Sequence, residues 1–443
     1  MPSGKRFDTL VHNGTIVTVN PQFDIIKNGW IGILNGRIKE IQPKDPNTNL
    51  PDAVTFIDAD GGIIMPGLVN THTHLPMTLF RGLADDLPFM EWLHEYIFPA
   101  EAKWIAPETV KTGALLACAE MLLSGTTTCC DGYFLEENVA KAVQCSGMRA
   151  VLGQGVIDFP APGVPDPSDN VAYAQTYVDT LQGMTALITP SIFCHSPYTC
   201  SAETLIKAKA AARKADVLFQ VHVAETRGEV AQIPNGPHES PVTYLDKLGI
   251  LDSKTLLVHA IWIDKVDIEI IADRDAKISH NPESNMKLAA GVAPVPALLD
   301  AGVCVGLGTD GCASNTNLDL LGEMDTAAKL HKVMGHDPTL LNAQQMVRMA
   351  TIEGSRAIGL SHRIGSLEPG KRADLIVLNT RRPHLTPLYH PESHLVYTAC
   401  GSDVSHVFVD GNLVVKNRKI LTFDVEQVMA KIVSHYQPGI AKT

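Results

Sequence analysis

The chain has 443 residues, 45% of them apolar and 19% charged, and a formal net charge of −12. This balance, free of low-complexity tracts, excludes a disordered chain, and the lack of a basic excess argues against phosphate neutralisation, so no nucleic-acid partner is expected. A small neutral or cationic ligand suits the charge better. No apolar run is long enough to span a membrane, and the opening Met-Pro-Ser-Gly-Lys-Arg has no apolar leader, so a cytoplasmic protein is expected, with no membrane partner. The nine cysteines are scattered and contain no Cys-x-x-Cys pair, so any metal must be held by His and Asp or Glu.

In chain order, the first sixty residues read as short alternating strands at 9–12, 14–19, 32–34 and 37–41, with Asn13-Gly14 and Asn35-Gly36 as hairpin turns. From 63 to 359, β-branched runs alternate with segments of helical period, the pattern of repeated βα units. Strands are expected near 63–70, 126–130, 149–153, 187–193, 218–221, 255–258, 277–279 and 303–309. Helices between them include 202–214, with Ser201 as N-cap, and 296–302. Strand texture returns at 373–378 and 404–415. The expectation is an α/β protein: a (β/α)8 TIM barrel over 66–364, and a small β-sandwich built from 1–65 and 365–443.

A barrel of this kind carries its active site at the carboxyl ends of its strands, which makes a test within the sequence. His72 and His74 follow the first strand and, two residues apart, share a face. His195, His222, His259 and His280 follow the fourth to seventh strands, and Asp310 follows the eighth. Any one of these alone is more often a hydrogen-bonded core histidine. Seventeen histidines scattered at random rarely end five strands, so the joint pattern favours a site.

His72, His74 and His222 can offer neutral nitrogens, and Asp310 a carboxylate that also takes a proton from bound water. This donor set suits one divalent ion, zinc by first choice, though Fe(II) and Mn(II) accept the same donors. Such an ion supplies hydroxide at physiological pH, so the site is hydrolytic in character. Glu225, three residues beyond His222, is placed to shuttle protons to a ring nitrogen and to a departing amine.

Together, Pro66-Gly-Leu-Val-Asn-Thr-His-Thr-His74, Val221-His-Val-Ala-Glu225, Val258-His259, Ser279-His-Asn-Pro-Glu-Ser-Asn285, Gly308-Thr-Asp310 and Gly365-Ser-Leu-Glu-Pro-Gly-Lys-Arg-Ala-Asp-Leu375 resemble the mononuclear deaminase branch of the amidohydrolase superfamily. The resemblance covers nearly the whole chain. It implies His72, His74, His222 and Asp310 as metal ligands, Glu225 as proton shuttle, and His259 as the residue that steers the attacking water with Asp310. Dinuclear relatives carry a lysine at the end of strand four; Phe193-Cys-His195 has none, so one metal is expected.

Within that branch, residues 73–86, 92–101 and 193–200 resemble the 5′-methylthioadenosine/S-adenosylhomocysteine deaminases. That resemblance implies a purine nucleoside substrate, Glu101 gripping the ribose hydroxyls, His195 contacting substrate, and association into a homo-oligomer. A vicinal diol offers a carboxylate two donors at once, so Glu101 makes physical sense there. Phe89, Met90 and Trp92 are candidates for an apolar wall around a thioether. Some relatives contact substrate through an arginine after the third strand; here Arg149 begins that strand and Gln154 lies farther along, so that role is not carried over to either. The absence predicts a preference for an uncharged methylthio group over the homocysteine zwitterion. The roles of Gln154 and His280 stay open. Two readings compete: a deaminase or dechlorinase of guanine, cytosine or an s-triazine, which would not need Glu101, and a non-catalytic assembly protein, which would not need the metal set.

Overall fold

The computed structural model describes residues 6–233 and 239–442; residues 1–5, on which part of the expectation of a cytoplasmic protein rests, lie outside this range. Strand β1 (Phe7–Val17) pairs antiparallel with β2 (Ile25–Leu34), which turns into β3 (Arg37–Pro43). Asn35 and Gly36 make that turn at φ values of 53° and 71°, the left-handed pair that a tight two-residue hairpin demands. Asn13-Gly14 differs from expectation. β1 runs straight through it, and the register against β2 shifts there, so Asn13 at φ 58° forms a bulge rather than a hairpin. An Asn-Gly pair supplies a left-handed residue, and a bulge uses one as readily as a turn does.

β4 (Ala53–Asp58) and β5 (Ile63–Pro66) both run parallel to β1. The apolar run expected as a single strand over 63–70 is two. β5 belongs to this first sheet, the chain crosses at Gly67, and β6 (Leu68–Thr73) opens the barrel. A Cβ at Gly67 would stand 2.1 Å from the Thr127 hydroxyl, so the crossing needs a bare backbone. Both pieces are fully buried, which is why no polar residue marks the division.

The remaining barrel strands are β7 (Thr126–Tyr133), β8 (Arg149–Val156), β9 (Ile188–Cys194), β10 (Phe219–Val223), β11 (Thr255–His259), β12 (Lys277–His280) and β13 (Val305–Leu307). Each pairs parallel with the next, making an eight-stranded sheet. The sheet curls until its first and last strands meet: the N–H groups of Thr309 and Asp310 donate to the His72 carbonyl at 3.2 and 3.0 Å. Helices cover the outside, among them Ala202–Ala215, whose N-cap Ser201 accepts from the Thr204 N–H at 3.2 Å.

Four C-terminal strands, β14 (Leu375–Leu378), β15 (Val404–Val409), β16 (Asn412–Lys416) and β17 (Lys419–Ile420), return to the first sheet, with β14 pairing antiparallel to β5. The result is one mixed nine-stranded sheet from both ends of the chain. It wraps on itself, because Ile31 and Ile33 share a core with Leu375 and Phe408. The Arg149 guanidinium pins this sheet to the base of the barrel, donating to both Asp374 oxygens at 2.8 and 3.0 Å and to Asp410 at 3.2 Å. Among the described residues, no helix is long and apolar enough to cross a membrane.

Candidate active site

The site grows from the carboxyl ends of the barrel strands. The strands run farther than expected, so His72 and His222 lie within β6 and β10, His259 is the last residue of β11, and His74 and His195 follow β6 and β9 directly. β13 is shorter than expected. The chain leaves the ladder after Leu307 and turns at Asp310, which sits at φ 63°; His259 sits at φ 72°. Non-glycine residues held in that region cost about 1–3 kcal/mol each and gather where a side chain must be aimed.

Four side chains converge. Asp310 Oδ1 lies 3.5 Å from His72 Nε2 and 3.3 Å from His74 Nε2, and His222 Nε2 lies 3.2 Å from His72 Nε2. A tetrahedral ion with bonds of about 2.1 Å needs donor atoms roughly 3.4 Å apart, which these three spacings match; His72 is shared by two donor groups, one with His74 and Asp310 and one with His222 and His259. Protonation agrees. Burial pushes the His72 imidazole down to about 4, lowers that of His74 and holds that of His222 well below its usual value, leaving neutral donors. His74 Nδ1–H donates to the Gly132 carbonyl at 2.6 Å, which directs its Nε2 lone pair into the cluster. Burial alone would push the Asp310 carboxyl up. The contact with His72 and the nearby His74 and His259 rings instead hold it well below the usual carboxylate range. Its Oδ2 accepts from the Ser284 and Ser314 hydroxyls at 2.7 and 2.8 Å, and its Oδ1 from the Gly311 N–H at 2.7 Å.

Glu225 and His259 stand beside this cluster, with 3.8 Å between Glu225 Oε1 and His259 Nε2. Burial raises the Glu225 carboxyl above its ordinary value, with His259 pulling the other way. Two residues that sequence reasoning missed fix the pair. His259 Nδ1 meets Asn285 Oδ1 at 2.9 Å, and the Glu225 N–H donates to Glu229 at 2.8 Å. Burial pushes Glu229 itself up to about 8, so it stays largely neutral at pH near 7 and adds no full charge beside Glu225.

These groups open into a cavity of about 530 Å³, within the span of small-molecule sites, roughly 300–1,000 Å³. Its lining includes His74, His195, His222, Glu225, His259 and Asp310 at one end, and Phe89, Trp92, Phe98, Phe159 and Glu101 elsewhere. Met90, grouped with Phe89 and Trp92 on sequence, is not in the lining; it is 46% exposed. It follows Phe89 on the short helix Phe89–Glu91, where successive side chains are turned about 100° from one another, so Met90 points away from the side that Phe89 and Trp92 share. Glu101, buried on Phe98–Trp104, accepts a 2.5 Å hydrogen bond from the Tyr133 hydroxyl at the end of β7. His195 is pushed down to about 3 by burial, and its Nδ1 is engaged by Thr199 Oγ1 at 2.9 Å.

Arg149, to which no substrate role was carried over, and Gln154 and His280, whose roles were left open, lie apart from the cavity. Arg149 ties the two sheets together, Gln154 accepts from the Glu136 N–H at 3.2 Å, and His280 meets His331 at 3.1 Å in a buried pair. None of the three lines the cavity, and among the described residues no lysine or arginine does. Nearby cations are committed: Lys287 pairs with Asp85 at 2.6 Å, and Arg227 stacks 4.1 Å over the Trp262 ring.

Comparison with known proteins places this architecture. The chain is 45% identical over 427 residues to a 5-methylthioadenosine/S-adenosylhomocysteine deaminase of Syntrophobacter fumaroxidans, covering 96% of this chain and 97% of that one. It is equally 45% identical to a 5′-deoxyadenosine deaminase of Methanothermobacter thermautotrophicus, over 91% and 93% of the two chains. The crystal structure of an adenosine deaminase from Xanthomonas campestris with bound zinc superposes with a TM-score of 0.96 at 35% identity, covering 99% of this chain and all of that one. An atrazine chlorohydrolase from Arthrobacter aurescens, at 23% identity and a TM-score of 0.87, shares the fold. The profile of the Amidohydrolase family matches residues 63–414, which takes in the whole barrel and, of the strands that return to the first sheet, β14 and β15. The chain belongs to the amidohydrolase family.

Proposed function

We propose that this protein is a metal-dependent hydrolase that converts the 6-amino group of adenine nucleosides to a 6-oxo group, with 5′-methylthioadenosine as the leading substrate and ammonia as co-product. The observation that carries this reading is the meeting, in one cavity, of the His and Asp cluster, Glu225 beside it and Glu101 on the wall. A cluster alone serves many hydrolases. A proton carrier at one end and a buried carboxyl at the wall suit an amino heterocycle attached to a sugar.

His72, His74, His222 and Asp310 would hold one divalent ion, zinc by the nature of the donors. When bound there, the ion polarises a water and brings its pKa toward neutrality. Asp310 accepts a proton from the attacking water, and His259 holds that water on the C6 side of the purine. Glu225 delivers a proton to purine N1 as the oxygen adds to C6. Glu225, now a carboxylate, takes the proton of the new C6 hydroxyl and passes it to the amine as the C6–N bond breaks and ammonia leaves, and the proton held by Asp310 then restores Glu225. His195 faces the substrate from strand four.

The absence of lysine and arginine among the described residues that line the cavity supports a preference among 5′ groups. An S-adenosylhomocysteine tail would bring a zwitterion to a wall of Phe89, Trp92, Phe98 and Phe159 with no lysine or arginine to meet its carboxylate, whereas a methylthio or 5′-deoxy group needs none. Nine unpaired cysteines suit the reducing cytoplasm assigned to it in this reading. Its self-association into a homo-oligomer, carried from the family resemblance, is read by light scattering. The experiment is ultraviolet absorbance of zinc-loaded protein with 5′-methylthioadenosine, S-adenosylhomocysteine, adenosine, guanine, cytosine and an s-triazine. A fast adenine-to-hypoxanthine shift with the methylthio nucleoside is expected. Silence with every adenine nucleoside in metal-loaded protein would overturn the proposal, and equal efficiency on S-adenosylhomocysteine would remove the preference alone.

A further inference from the structure

Glu101 is carried by a helical segment outside the barrel, yet a carboxylate that reads a ribose must hold a fixed distance from the reacting carbon. The residues that could set that distance lie side by side at the end of β7. The Gly132 carbonyl accepts the His74 Nδ1–H at 2.6 Å, and the hydroxyl of the next residue, Tyr133, donates to Glu101 Oε1 at 2.5 Å. Tyr133 is 3% exposed, lines the cavity with Glu101, and packs its ring 6.0 Å from that of His74. One strand end therefore grips the metal cluster with a backbone carbonyl and the carboxylate on the wall with a phenol.

We propose that Tyr133 is the positioning residue for ribose recognition: it fixes Glu101 relative to the metal cluster and fills one carboxylate oxygen, leaving the other for the 2′ and 3′ hydroxyls. This rests on the reading of the protein as an adenine nucleoside deaminase. A carboxyl group has about four acceptor positions over two oxygens, and a buried one without a fixed partner can rotate among them. The tyrosine hydroxyl removes that freedom. It stays a donor throughout the working range, because burial holds its own ionisation well above the ordinary phenol value. Side chains held by packing and by a second hydrogen bond are what keep a binding group in register with the chemistry.

The test compares 5′-methylthioadenosine with its 2′,3′-dideoxy analogue in metal-loaded wild type, Tyr133→Phe, Glu101→Gln and the double variant. The ratio of kcat/KM for the two substrates is read within one protein, so it does not depend on the fraction folded. In Tyr133→Phe the ratio should fall about tenfold, the size of one lost hydrogen bond to a charged group, mainly through KM of the ribonucleoside, with kcat at saturation nearly kept. In the Glu101→Gln background, the tyrosine substitution should change the ratio no further, because it acts through Glu101. An unchanged ratio in Tyr133→Phe would overturn the proposal, as would an equal fall in both backgrounds, which would mean that Tyr133 touches the sugar itself. If no adenine nucleoside is deaminated by wild type, the deaminase reading fails, a result distinct from either outcome. Should Tyr133→Phe not fold, the double variant, in which neither partner is left as a buried charge, supplies the comparison against Glu101→Gln.

Discussion

Glu225 and Glu101 are both carboxyl groups raised by burial, and their neighbours give them different work. Glu225 stands 3.8 Å from His259 at the metal end, so Glu225→Gln keeps the shape and removes the proton. Turnover should drop by roughly 10²–10⁴-fold, the usual share of general acid–base catalysis, while the zinc content measured by mass spectrometry stays near one per chain. Wild-type turnover in that variant would take Glu225 out of the mechanism. Glu101 is pushed up to about 7 by burial, with the Tyr133 hydrogen bond pulling the other way. In the proposed reading its carboxylate form accepts from sugar hydroxyls, and its protonated form gives up an acceptor position. As the pH falls through about 7, the group takes up its proton and ribose recognition weakens; as the pH rises, recognition returns and levels off. The preference for a ribonucleoside over its dideoxy analogue should therefore climb with pH across that value. In Glu101→Gln the profile should be flat, and a slope that survives the substitution would assign the titration to another group.

At the scale of elements, the end of β7 is a tight junction of the barrel. A Cβ added at Gly132 would stand 2.6 Å from the Phe193 ring, and that ring packs at centroid distances of 6.1 and 5.0 Å against His72 and His222. Gly132→Ala should cost about 1–3 kcal/mol as overpacking and should weaken zinc retention against a chelator, because the displaced ring leans on two donors. Unchanged retention would show that Phe193 moves freely. Gly132 illustrates what the sequence conceals. His72, His74, His222 and Asp310 were legible because imidazole and carboxylate at strand ends are rare outside sites, and Glu225 was legible from its register to His222. Tyr133, Ser284, Ser314, Asn285 and Glu229 were not, since such residues occur everywhere and only packing brings them to Asp310, His259, Glu101 and Glu225. The run at 63–70 misled for a related reason: two buried strands in different sheets present one continuous apolar stretch. Asn13-Gly14 misled because a bulge and a hairpin draw on the same left-handed backbone.

For the whole molecule, the question is how two chain ends and a barrel fold as one body. Arg149 begins β8, at the pole of the barrel opposite the site, and its guanidinium makes a two-pronged pair with Asp374, just before β14. The Arg149 and Asp374 side chains are 2% and 1% exposed, so neither charge has water to fall back on. Asp374 in turn accepts from the Asp410 N–H at 2.8 Å, and so reaches the turn between β15 and β16. Arg149→Leu would leave the Asp374 carboxylate buried and unpaired, a loss of about 3–5 kcal/mol. Replacing both partners, Arg149→Leu with Asp374→Leu, removes the stranded charge and should recover part of that loss, although the Asp410 N–H then lacks its acceptor. Urea unfolding of wild type, Arg149→Leu and the double variant reads the difference. The metal cluster and the wall of the cavity lie at the other pole, so kcat and KM of the folded single variant should stay near wild type. A large fall in kcat at full zinc loading would mean that the base of the barrel transmits strain to its mouth. An unchanged urea midpoint would mean that the two sheets are held together by their apolar contacts alone.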